Sequence, residues 1–131
     1  MHHSTNYSDT FLRVSPDTRA TSGTPPPKPG TVTALEFCLL HGAPYGMTSD
    51  DLLVAVTAER LDRAPDDRLR AEIFASAQPC LRSSPLVRIY GWGIHYDQNA
   101  RIALVGCETE AYARLAADPT LNQIAGLRRR A

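Results

Sequence analysis

Six side chains able to do chemistry lie between residues 80 and 95: Cys80, Arg82, Ser83, Ser84, Tyr90 and His95. Cys80 or Ser83 could serve as a nucleophile, with His95 as its base and Arg82 as an anchor for an anion. That chemistry needs the base within hydrogen-bond reach of the nucleophile, roughly 2.6–3.2 Å. No Gly-x-Ser-x-Gly elbow accompanies these residues. A plainer reading fits them equally. Cys80 is then a small apolar packing residue, Ser83-Ser84-Pro85 caps or turns the chain, and His95 bonds a backbone group. A third reading requires no activated nucleophile. Tyr90, Trp92 and Tyr96 form an apolar wall, and Arg82, Ser84 and His95 are polar anchors for a small molecule or peptide. Binding around the 80–101 segment is the preferred function, with a small Cys80 or Ser83 enzyme as its alternative.

These residues can meet only if the chain doubles back. Gly91 to His95 begins a strand in which Trp92, Ile94 and Tyr96 face one way and Gly93, His95 and Asp97 the other. The polar run Asp97-Gln-Asn-Ala precedes a second β-prone run, Arg101 to Val105, so a hairpin is expected at about 90–106. Asn99 is the loop residue best suited to a left-handed conformation. Ile102 and Leu104 should join Ile94 and Trp92 against helices. Gly91 and Gly93 beside Trp92 suggest close backbone approach.

The remaining chain supplies those helices. Periodic apolar residues predict helices over Thr31–Leu40, about Ser49–Arg63, from Pro65 to Ala77, and Glu108–Ala117, with a last one after Asp118-Pro119. Thr48 and Asp51 form a capping-box pattern. Tyr7, Phe11 and Val14 anchor the N-terminal segment, where Thr10 to Val14 reads as a short strand. Residues 15–30, with Thr24-Pro-Pro-Pro-Lys-Pro-Gly, form a proline-rich surface connector. The expected architecture is one helix-rich α+β domain spanning 1–131, its hairpin packed against helices.

Fourteen basic and fourteen acidic residues cancel, so no global field recruits nucleic acid or an anionic membrane. A winged-helix module, with the hairpin as wing and the Arg82–Arg101 region on phosphates, is a further alternative. The sparse local basic charge disfavours nucleic acid as a partner. Arg128-Arg129-Arg130 reads as a solvated tail. Cys38, Cys80 and Cys107 are widely spaced and odd in number, which argues for reduced thiols and a cytoplasmic protein. There is no signal-peptide core and no membrane-length apolar run. His2, His3, His41 and His95 are scattered, so no metal and no cofactor is implied. Nothing in the sequence specifies an oligomeric state.

Several stretches together carry a resemblance: the opening Met-His-His-Ser-Thr-Asn-Tyr-Ser-Asp-Thr-Phe, Pro44-Tyr45, Thr48-Ser-Asp-Asp, Gln78-Pro-Cys-Leu-Arg-Ser-Ser-Pro-Leu and Tyr90-Gly-Trp-Gly-Ile-His. They resemble DUF6157, a family of small bacterial and fungal proteins of unknown function. The resemblance covers nearly the whole chain and implies no assigned activity, so no catalytic role transfers. Two departures stand out. Ala100 occupies the place of a hairpin Gly in the family pattern, and the opening carries one extra His.

Overall fold

The computed structural model describes residues 3–128. His2 of the paired histidines, and Arg129 and Arg130 of the basic tail, lie outside the described residues.

In chain order the elements are β1 (Thr10–Arg13), α1 (Val32–Gly42), α2 (Ser49–Leu61), α3 (Asp67–Ile73), a 3-10 turn (Leu81–Ser83), α4 (Pro85–Arg88), β2 (Trp92–Tyr96), β3 (Ile102–Gly106), α5 (Glu110–Ala116) and β4 (Asn122–Ala125). The strands form one mixed sheet in the order β3-β2-β1-β4. β1 runs antiparallel to β2 and parallel to β4. The fold is a single α+β domain.

Alternation along β2 divides the sheet into two faces. Ile94 and Tyr96 pair with Leu104 and Ile102 of β3, and all join Leu12, Leu40, Leu52 and Val56 in the main core, with Trp92 and Ile124 against it. The opposite face carries Phe11, whose ring meets Tyr112 of α5 edge-on at 5.0 Å. A Cβ on Gly93 would stand 2.7 Å from that Tyr112 ring. The close approach expected at Gly93 is therefore between the β2 backbone and an aromatic ring of α5.

The hairpin forms where expected, but its left-handed residue is Ala100 (φ 64), not Asn99. Asp97 explains the shift. Its Oδ1 accepts from the amides of Asn99 (2.8 Å) and Arg101 (3.0 Å), so the loop is wound around one carboxylate and the positive φ falls a residue later. An L-side chain there costs ~1–2 kcal/mol, partly offset by the entropy that Gly loses on folding. Ala100→Gly is expected to stabilise the protein by ~0.5–1 kcal/mol, read from chemical denaturation.

The helix expected after Asp118-Pro119 is instead β4. The Asp118 carboxylate accepts from both the amide (2.8 Å) and the hydroxyl (2.6 Å) of Thr120, closing a turn rather than starting a helix. Asn122 to Ala125 then pair along the open edge of β1. Backbone groups of an edge strand need partners, and this demand outweighs the weak local preference of Asn-Gln-Ile-Ala. β2 is likewise interior to the sheet. The hairpin is thus built into the sheet through β2, with β3 as its outer strand.

The connector has no helix or strand between Val14 and Thr31. It is pinned at the start of β2: the Thr24 amide donates to the Tyr90 carbonyl (2.9 Å) and the Trp92 indole N–H to the Thr24 carbonyl (2.8 Å). Among the described residues, no helix is long and apolar enough to cross a membrane.

Candidate functional site

Three short pieces of chain with well-defined starts converge on one cleft. Thr31 caps α1, its hydroxyl accepting from Ala34 N at 3.1 Å. Thr48 and Asp51 make the full capping box on α2. Ser84 caps α4, with Pro85 in the first turn, and accepts from Leu86 N at 3.2 Å. Between α1, the α2 face that starts at Ser49, and the 79–85 segment lies a cleft of about 370 Å³. Its apolar surface comes from Val32, Leu52, Leu53, Val56, Pro79, Leu81 and Pro85. Its polar surface comes from Thr5, Thr33, Glu36, Ser49, Cys80, Ser83 and Ser84. That size and mixture suit a small amphipathic ligand.

Among the described residues, Glu36 is the one charged residue lining this cleft. Its Oε1 accepts from the Ser84 hydroxyl at 2.9 Å, and Ser84 is only 6% exposed. Among the described residues Glu36 has no ion pair. Burial pushes its carboxyl above the usual carboxylate range, and the Ser84 hydrogen bond opposes this only in part. The sign for stability follows from linkage. A carboxyl whose folded pKa lies above its unfolded one favours folding below the unfolded pKa, and that contribution fades as pH rises through the folded value. Glu36→Gln should therefore gain stability relative to wild type as pH climbs through the window just above the ordinary Glu pKa. Melting curves of both proteins across that window check this, and parallel curves would contradict it.

The N-terminal segment reaches the cleft through Thr5. The Asp50 carboxylate, 4% exposed, accepts from Thr5 N (2.7 Å), Thr5 Oγ1 (2.7 Å) and Ser4 Oγ (2.8 Å). In return Asn6 Oδ1 accepts from the Asp50 amide at 2.9 Å. Thr5 and Ser49 hydroxyls also bond each other at 2.8 Å. The Ser-Thr-Asn of the opening motif is therefore a clamp on the start of α2.

The residues singled out from the sequence separate into two groups. Cys80, Ser83 and Ser84 line the cleft. Arg82, Tyr90, Trp92 and His95 do not. Arg82 Nε donates to the Ala125 carbonyl at 2.7 Å, and its own carbonyl accepts from Leu127 N at 2.9 Å, so it fastens the chain after β4 to the 3-10 turn. Trp92 lies on Gly23, where an added Cβ would be 2.9 Å from the indole, and its ring is 5.6 Å from Phe37. Tyr90 holds the connector through its carbonyl. His95 Nδ1 is 2.7 Å from the Tyr45 hydroxyl. Burial lowers its pKa, against the opposing pull of Asp97, Asp118 and Asp9.

His95 and Cys80 are kept apart by strand alternation. Tyr96 meets Tyr7 edge-on at 5.4 Å, and the Tyr7 hydroxyl donates to Cys80 Sγ at 3.6 Å. Cys80 thus belongs with the Tyr96 face. His95, one residue earlier, pairs with Phe11 and belongs with the other. The expected sharing of one pocket by Arg82 and His95 is corrected on the same ground, since Arg82 reaches the β4 edge and His95 the Tyr45 loop. Glu36 and Asp50 were not singled out from the sequence. Glu36 had a readable signal: it is the lone carboxylate in Val32–Gly42, a largely apolar helix. Asp50 had none, because its partners come from a segment more than forty residues away.

Among the described residues, no group of three or more His, Cys, Asp or Glu is placed to hold a metal ion. Comparison with known proteins adds a family match: the model of a family of unknown function, DUF6157, matches residues 1–131. No curated protein and no solved structure matches the chain.

Proposed function

The chain belongs to the DUF6157 family of unknown function, and from its cleft we propose that the protein binds a small amphipathic molecule between α1, α2 and the 79–85 segment. The observation that carries this reading is the Glu36–Ser84 pair at the polar end of an otherwise largely apolar cleft of about 370 Å³. Burying a carboxyl without a cation is costly, and such groups concentrate where something is bound or transformed. Binding also asks less of the geometry than catalysis does. Cys80 and Ser83 both line the cleft, but among the described residues no His, Lys or Arg lines it with them to act as base or to activate a thiol. Three widely spaced cysteines without a pairing pattern support a cytoplasmic setting.

A thermal-shift screen of small amphipathic compounds tests the proposal, with Thr33→Phe as the blocked control. Thr33 lines the cleft, and a phenyl group there fills it. A ligand at about 100 times its Kd stabilises by ~2.7 kcal/mol. The expected result is a set of stabilising compounds whose effect disappears in Thr33→Phe. Compounds that stabilise wild type and Thr33→Phe equally would refute the cleft as the site.

A further inference from the structure

Building on that cleft reading, we infer that the ligand is an amine with an apolar tail, its ammonium group on Glu36 and its tail along the α1–α2 trough. The hydroxyl protons around the cleft decide the head group. Ser84 donates to Glu36, Ser83 donates to the Cys80 carbonyl at 2.9 Å, and Thr5 donates to Asp50. With the Thr5 proton committed to Asp50, the Thr5–Ser49 contact is a donation from Ser49. These four hydroxyls therefore offer the cleft lone pairs and no protons, and among the lining hydroxyls Thr33 alone keeps its proton uncommitted. The Tyr7 hydroxyl is likewise spent on Cys80.

A wall of acceptors around a carboxyl calls for a head rich in donors. An ammonium has three donors and no acceptor, and carries the charge that Glu36 lacks. A carboxylate or phosphate head would meet lone pairs and a like charge. The α2 N-terminus does not reverse this preference. Its Asp50 and Asp51 amides are already taken by Asn6 Oδ1 and Thr48 Oγ1, so neither is open to an anion.

The tail follows from what lies beside the cleft. A second cavity of about 280 Å³ shares Val32, Leu53 and Val56 with the first and continues past Thr57 and Arg60 to Leu61, so the cation of Arg60 stands at the far end, where a tail and not an ammonium head would lie. Leu53, Val56, Thr57 and Leu61 recur at the spacing of one helix face, so the two cavities form one trough along α2. Leu61 at its far end is 56% exposed, an apolar surface that a tail would cover.

Isothermal titration of n-octylamine, n-octanol and octanoate against wild type, Glu36→Gln and Thr33→Phe tests the inference. Glutamine keeps the size of the side chain and its hydrogen bond from Ser84. The amine is expected to bind wild type at least about tenfold more tightly than the alcohol, since charge-assisted hydrogen bonds are roughly twice as strong as neutral ones. Octanoate should bind more weakly than either, Glu36→Gln should erase the amine's advantage, and Thr33→Phe should abolish binding. An alcohol that binds as tightly as the amine, with Glu36→Gln indifferent, overturns the amine inference but leaves the cleft reading standing if Thr33→Phe still blocks it. Binding that survives Thr33→Phe, or no binding by any of the three, overturns both.

Discussion

Asp50→Ala is expected to destabilise the protein by ~3 kcal/mol and to lower Tm by roughly 10 °C. The carboxylate receives three donors from Ser4 and Thr5, and Thr5 is itself buried. Alanine leaves the Thr5 amide and hydroxyl without the acceptor they were folded around. Hydrogen bonds to a charged acceptor contribute ~1.5–3 kcal/mol each, and the three are not additive because they share one group. Asp50→Asn separates geometry from charge. One oxygen remains for Thr5, so its cost should be closer to ~1 kcal/mol. Because Thr5 and Ser49 line the cleft, the alanine variant should also lose ligand-induced stabilisation. A Tm within a degree or two of wild type would mean that the opening segment is not clamped to α2 in solution.

Gly91→Ala carries the second large effect, a loss of ~3 kcal/mol or more. Gly91 has φ 80, where an L-side chain is strained by ~1–2 kcal/mol. A Cβ there would also run into the Ser22 carbonyl oxygen and lie 2.7 Å from its carbon. Both neighbours are backbone, so neither can rotate away. The strain is relieved only by lifting the connector from the start of β2, which breaks the bond from the Trp92 indole to Thr24. Trp92 is the only tryptophan in the chain. Its fluorescence should therefore shift to the red in the folded variant, alongside a lower midpoint in urea. An unchanged emission maximum with wild-type stability would contradict the pinned connector.

Local patterns in the sequence carried the fold further than they carried the site. The hairpin was readable because alternation and a polar connection coincide at residues 92–106. The start of α2 was readable because Thr48 and Asp51 are three residues apart and bond each other. β4 was not, because its four residues acquire strand geometry only from pairing with β1, more than a hundred positions earlier. Ala100 hides its role for a related reason: its conformation is imposed by the Asp97 carboxylate, while Asn99 is the better local candidate.

The site shows the same division more sharply. Cys80, Ser83 and Ser84 could be singled out because they lie together in sequence and remain together in a 3-10 turn and a helix cap. His95 lies near them in sequence, but that proximity does not survive a strand that turns successive side chains to opposite faces. The partner that Ser84 does meet is Glu36, brought by α1 from nearly fifty residues away. A charged residue inside an apolar helix is the kind of local conflict that marks a functional position.

The most direct test of the cleft as a ligand site is the alkylation rate of Cys80. Cys80 lines the cleft, whereas Cys38 is exposed and does not. With n-octylamine or n-octanol bound, a maleimide should label Cys80 more slowly and Cys38 at its original rate, the amine protecting at lower concentration than the alcohol. Peptide-level mass spectrometry resolves the two thiols. Cys80 labelled at an unchanged rate under concentrations that stabilise the protein would place the bound molecule elsewhere and contradict the account.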